Sequence, residues 1–354
     1  MPAKTKTRAA TKAPAAEAPQ TVLAIKGFDE NLACRGFSYA VGQTYTHEGD
    51  VVACQSGFHA IEGHPLEVFS YYAPANNRFC LVECGGEIVR ETNMNDSKIA
   101  CAEITIKAEI RLPDLIERAV KYVLDRVTWV NGSFTELERS GVKSDKDGGA
   151  ATASGYWGAA TASGYWGAAT ASGYQGAATA SGDRGAATAS GPGGAATASG
   201  PGGAATASGR WGAATASGDR GAATASGDRG AATASGDWGA ATASGDWGAA
   251  TASGYQGAAT ASGDWGAATA SGDWGAATAS GYRGAATAAG VASTAHTSGI
   301  DGKARGIEGA ALHLDERDSE GTIIAVWAGI VGRNGIKPMT WYALKNGEPT
   351  EIDG

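Results

Sequence analysis

Several things are missing from this sequence, and each absence excludes something. No run of ~18 apolar residues occurs, so nothing reads as a membrane-spanning helix. The opening stretch MPAKTKTRAATKAPAAEAPQ lacks an apolar centre, so it does not read as a secretory leader. Between residues 149 and 292 there is no Leu or Ile, which rules out a conventional side-chain core there. The same stretch has no His, Cys, Lys or Glu, leaving scattered aspartates as its only general-base candidates. No P-loop, G-x-S-x-G or H-E-x-x-H motif is present. A net charge of −8 argues against nucleic acid as a partner. The five cysteines, Cys34, Cys54, Cys80, Cys84 and Cys101, are odd in number and follow no leader. They read as reduced thiols of a cytoplasmic or virion-associated protein. Cys80 and Cys84 share one face of an apolar strand, but a metal would need two further ligands. Neither metal nor cofactor is expected.

What is present is a lattice. Glycine is abundant, 55 of 354 residues. From Gly149 to Ala292 the unit G-A-A-T-A-S-G-x-x repeats sixteen times without insertion or deletion. A period that never slips is the mark of a repeat architecture rather than of a flexible linker. Ala-Ala-Thr-Ala-Ser is long enough for a short strand, and Gly-x-x-Gly has the composition of a tight corner. Strand alternation puts the second and third Ala of each unit on one face, and the first Ala, Thr and Ser on the other. Burying the alanines leaves no hydroxyl unsatisfied, so the alanines are expected inside a thin core. Nine residues cannot close a two-strand coil. Two units per coil can, in a flattened parallel roll of about eight coils at ~4.8 Å each. Gly does not fall at every third position, so a collagen-like helix is excluded.

Only the last two positions of each unit vary freely, and they project at the corners. Seven Trp stand there (Trp157, Trp166, Trp211, Trp238, Trp247, Trp265 and Trp274), along with arginines including Arg184, Arg220 and Arg229. These ten residues are the candidate binding set. Stacked on one another they would shield the thin core. Left open they would receive flat rings of a macromolecular partner or of a second copy. Calcium rolls need an Asp in every unit, whereas Asp occurs in seven of sixteen here, so calcium is not expected. Regular Thr and Ser rows are the chemistry of an alternative function, binding of an ice or crystal surface.

The flanks look ordinary. Residues 1–20 read as a disordered basic tail and residues 21–147 as an α+β domain. Strands are expected over Thr21–Phe28, Phe37–Tyr45, Asp50–Cys54, Asn77–Glu91 (broken at Gly85-Gly86) and Ile99–Ile110. A helix should follow Pro113, with Leu115, Ile116, Ala119, Val120, Val123 and Leu124 in one apolar stripe. The solenoid takes residues 148–292. Residues 293–354 then read as a small antiparallel β cap, which an open sheet end requires. The fold class is therefore mainly β, a parallel β-solenoid between an α+β domain and a β cap. A further alternative lies in the first domain. His59 after a strand, then a short helix ending at Tyr71-Tyr72, loosely resembles ADP-ribosyltransferase-like folds. That would make the domain an enzyme; otherwise none is expected.

The stretches KGFDENLACRGFSYAVGQTY, VVACQSGFHAIEGHPLEVFSYYAP and ITIKAEI, with the tail GIKPMTWYALKNGEPTEI, resemble a domain of unknown function found in phage and prophage proteins that carry Gly/Ala/Ser repeats. The resemblance covers about 190 residues outside the repeat. It implies a phage or mobile-element origin and carries no activity or catalytic residue with it. The A-T-A-S-G-D units are also similar, locally, to head repeats of trimeric adhesins.

Overall fold

The computed structural model describes residues 21–90, 97–126, 128–129 and 134–353. The basic tail expected over residues 1–20 lies outside the described residues. Among those described, no helix is long and apolar enough to cross a membrane.

The first domain is a five-stranded antiparallel sheet built around two long strands, Asn77–Arg90 and Lys98–Ile110, with Val22–Asp29 paired along Asn77–Arg90. A 3-10 turn at Pro65–Ser70 and a helix at Leu112–Leu124 flank it. The helix buries Leu115, Ile116, Ala119, Val120 and Val123, the stripe its periodicity predicts. Three strands differ from expectation. Phe37–Tyr45 is not one strand: Phe37–Ser38 pairs with Ala33–Cys34, while Thr44–Thr46 joins the main sheet. Gly42, at φ +85°, turns the chain between them. Asp50–Cys54 makes only the isolated bridge Val52–Ser56, because Cys54 at φ +63° closes a tight turn. Asn77–Arg90 is continuous, and its Gly85-Gly86 pair makes a bulge instead of a break.

The repeat forms a parallel β-solenoid of about ten turns from residue 134. Strands pair with a shift of eighteen residues, as in Ala150↔Ala168 and Thr152↔Thr170, so successive units alternate between two facing sheets. Parallel pairing runs beyond the identical units at both ends, through Ser140–Ser144 to Phe134–Thr135 and through Lys303–Gly306 to Ala311–Arg317. The second and third alanines of each unit, such as Ala151 and Ala153, are essentially inaccessible and form one continuous core. At the C-terminal end Leu312, Leu314, Val331, Tyr342 and Leu344 fill that core with larger side chains. Ala311–Arg317 and Ile323–Ile330 close one sheet antiparallel, and Tyr342–Lys345 with Glu348–Glu351 close the other.

Each corner is a four-residue turn, Gly-x-x-Gly, closed by the last N–H onto the first C=O, as in Gly212 N to Gly209 O at 2.9 Å. The third residue has positive φ, the arrangement of a type II turn. Pro192-Gly193 and Pro201-Gly202 carry the residues that turn prefers. The first glycine of each corner packs directly on its counterpart one coil away. A Cβ on Gly227 would overlap the carbonyl of Gly209.

Identical units have unequal surroundings. On the sheet containing Ala159, Ala177, Ala195, Ala213 and Ala231 the first alanine is buried, because those residues share a cluster with Leu115, Ile116, Val120 and Phe69 of the first domain. On the other sheet the first alanine is exposed, from Ala150 through Ala276. One face is thus covered by the α+β domain and the other is open.

Candidate functional site: two corner edges and a cleft

The eighteen-residue coil sorts the candidate set into two rows of five. Trp157, Trp211, Arg229, Trp247 and Trp265 lie along one edge. Trp166, Arg184, Arg220, Trp238 and Trp274 lie along the other. The first edge is largely engaged. Trp157 meets Tyr122 edge-on at 6.2 Å and lies under Arg139 at 4.4 Å. Its neighbour Gln175 donates to Glu67 at 2.8 Å. Trp211 packs against the first domain, and Arg229 donates to Ser70 O at 2.7 Å. Trp247 and Trp265 stack in parallel at 5.0 Å, with Arg283 over Trp265 at 4.8 Å.

The second edge has no such cover. Trp166, Trp238 and Trp274 are 58%, 50% and 62% exposed. Arg220 lies 5.3 Å from the Trp238 ring, and Trp238 Nε1 donates to Gln256 Oε1 at 2.6 Å. Because Gly202 brings no side chain, the row dips. The dip is a groove of about 440 Å³ between Tyr165 and Trp238, flanked by Arg184 and Arg220.

Two features of the corners were not foreseen. Corner aspartates accept backbone N–H groups one coil onward: Tyr255 N to Asp237, Tyr282 N to Asp264 and Val291 N to Asp273, at 2.9–3.0 Å. Asp therefore serves the turn itself. Further, the second corner residue is left-handed throughout, with Trp157 at φ +57° and Trp274 at +61°. Fourteen of the sixteen units carry a non-glycine residue there, at ~1–2 kcal/mol each relative to glycine.

The first domain holds a separate cleft of about 420 Å³, to which His59, Tyr71 and Tyr72 all contribute. The Nε2 of His59 is buried with no partner among the described residues. Burial, helped by Lys26, Arg35 and Lys98, lowers its pKa to about 4. Lys26 points into the cleft from the strand Val22–Asp29. It is 5% exposed and donates to His59 O at 2.9 Å, with Cys34 Sγ at 3.8 Å. Burial pulls its pKa below the usual lysine range, while neighbouring thiols pull the other way. Tyr72 Oη donates to Cys34 Sγ at 2.8 Å. Lys26 escaped the sequence reading, although one lysine within the apolar run VLAIKGF was a visible signal. All five cysteines are free thiols.

No curated protein and no solved structure matches the chain. Residues 22–118, the sheet domain with the first half of its helix, match the family model described as Domain of unknown function (DUF7666).

Proposed function

We propose that the chain is a recognition scaffold in which the solenoid presents its uncovered edge to an extended macromolecular ligand. The single observation that carries this reading is the row Trp166, Trp238 and Trp274, exposed and held at left-handed positions that glycine would occupy more cheaply. Rings kept at such positions and left half or more open to solvent point to a role outside the fold. A glycan chain fits best. Trp238 and Trp274 are two coils apart, ~10 Å at the strand spacing, which suits alternate rings of an extended sugar chain. Trp faces stack on such rings, while Arg184 and Arg220 reach the hydroxyls between them. The net charge of −8 disfavours a polyanion. The phage or prophage setting rests on the sequence resemblance alone. Self-association belongs to the same proposal. The terminal strand Ile323–Ile330 leaves Ile324 and Val326 exposed at a sheet edge, suited to pairing with a second copy.

The test is a triple variant, Trp166→Gly, Trp238→Gly and Trp274→Gly, assayed on insoluble cellulose, chitin and peptidoglycan. Because Gly193 and Gly202 already occupy equivalent positions, the variant should keep its β spectrum and melt no lower than wild type. Affinity should fall by at least about tenfold, the equivalent of ~1.4 kcal/mol. A triple variant that binds as wild type does would remove the reading.

The open sheet favours a second reading, binding of an ice or crystal surface. Its threonines, Thr152 through Thr278, stand in register and face outward beside exposed alanines. Thr242 and Thr260 both lie on this sheet. Thermal hysteresis that vanishes in Thr242→Lys/Thr260→Lys would support it. Absence of hysteresis in the wild type would dispose of it.

A further inference from the structure

We propose that the cleft of the first domain takes a small aldehyde or ketone bearing an acid group, and holds it as an imine on Lys26. The cleft has the size of a small-molecule site, about 420 Å³. Phe37, Tyr39 and Phe58 line it, enough apolar surface for a planar ligand body. Two cations, Arg35 and Lys98, line it beside Lys26, and no Asp or Glu does. That composition selects an anion.

Lys26 sits against the Phe28 and Tyr39 rings, at 5.4 Å and 5.7 Å, with no carboxylate beside it. A buried lysine is ordinarily paired with a carboxylate. Lys26 makes no ion pair among the described residues. Its one short hydrogen bond goes to the His59 carbonyl. A largely buried amine with no carboxylate partner is easily held uncharged, and the uncharged form is the nucleophile. Burial does move its titration in that direction. The hydroxyl of Tyr72 fixes Cys34 Sγ beside the amine, so the nitrogen sits in a defined place.

The chemistry balances without a further reagent. The Lys26 nitrogen lone pair adds to the carbonyl carbon, forming the Nζ–C bond. The carbonyl oxygen takes up the two amine protons and departs as water, leaving the C=N bond. Nothing is oxidised or reduced. Arg35 and Lys98, on the wall of the same cleft, are placed to hold the acid group of the ligand.

The experiment uses the full chain with pyridoxal 5′-phosphate and, separately, glyoxylate, each at limiting ratio. Cyanoborohydride then reduces any imine, and peptide mass spectrometry maps the adduct. Lys26 should be labelled at least about tenfold faster than the exposed Lys121 and Lys337, since its amine, unlike theirs, is both buried and inside a cleft. Glyoxylate should compete with pyridoxal 5′-phosphate for that one site. Labelling that follows exposure, with Lys26 unmodified or no faster than the surface lysines, overturns the proposal, and this wild-type result needs no variant to fold. Lys26→Arg cannot form an imine, so the adduct should disappear. Arg35→Ala should slow glyoxylate labelling of Lys26 while leaving that by neutral glycolaldehyde unchanged. Equal effects on both probes would refute the acid-group assignment.

Discussion

Alanine at Gly227 is expected to destabilise the solenoid on the order of 4 kcal/mol, at the severe end for one methyl group. The added carbon would overlap the carbonyl of Gly209 one coil back, where only backbone is present to move. The two coils must separate, and the ladder bonds between them, such as Trp211 N to Asp228 O at 3.0 Å, must stretch. Gly193→Arg provides the contrast. Gly193 is left-handed, at φ +69°, but its nearest neighbour would be the flexible Gln175 side chain at 3.0 Å, and Arg184 already occupies the equivalent position on the preceding unit. That change should cost only ~1–2 kcal/mol. Urea titrations followed by far-UV circular dichroism would separate the two. Similar midpoints for both variants would show that coil contact at the corner glycines is not what limits the fold.

Acid should weaken the first domain before carboxylates begin to protonate. His64 is fully buried, meets Tyr122 edge-on at 5.6 Å, and neither ring nitrogen has a partner among the described residues. Burial, helped by Arg126, lowers its pKa from 6.5 to about 3. Below pH 6.5 the unfolded chain therefore binds a proton that the folded chain refuses. The stability is complete above pH 6.5 and is lost progressively as pH falls towards 3. At 1.36 kcal/mol per pH unit, the loss by pH 4 is on the order of 3 kcal/mol. His59, lowered to about 4, acts in the same direction. In His64→Leu the limb between pH 6.5 and 4 should be visibly shallower. An unchanged slope would mean that His64 does not remain neutral.

The solenoid was legible because its evidence was local and repeated. The invariant period gave the coil, strand alternation gave the inward Ala151 and Ala153, and helical spacing gave the Leu115–Val123 stripe. The environment of each unit was not legible. Ala150 and Ala159 occupy the same place in identical words, yet one is exposed and the other buried, because the α+β domain docks on one sheet only. For the same reason, whether a corner tryptophan is engaged cannot be read from its own unit. Trp157 and Trp166 both follow Tyr, and their difference depends partly on Gln175 reaching Glu67, 108 residues away. Corner aspartate was too sparse for a calcium roll, but its role as acceptor for the backbone N–H of the next coil is visible only once the coils are stacked. Lys26 could be seen in its strand, but its lack of a carboxylate partner was visible only in three dimensions.

The mismatch between a nine-residue word and an eighteen-residue coil imposes a parity rule on evolution. Gain or loss of a pair of units lengthens or shortens the rod and leaves every later residue on its own side. Gain or loss of one unit acts as a frameshift in space. Every downstream corner would change edges and every downstream strand would change sheets. Lys303–Gly306, which now continues the sheet that the first domain covers, would land on the opposite one. Near-identical repeats invite unequal recombination, so copy number in related chains should vary in steps of two, with odd arrays purged or accompanied by a rebuilt cap.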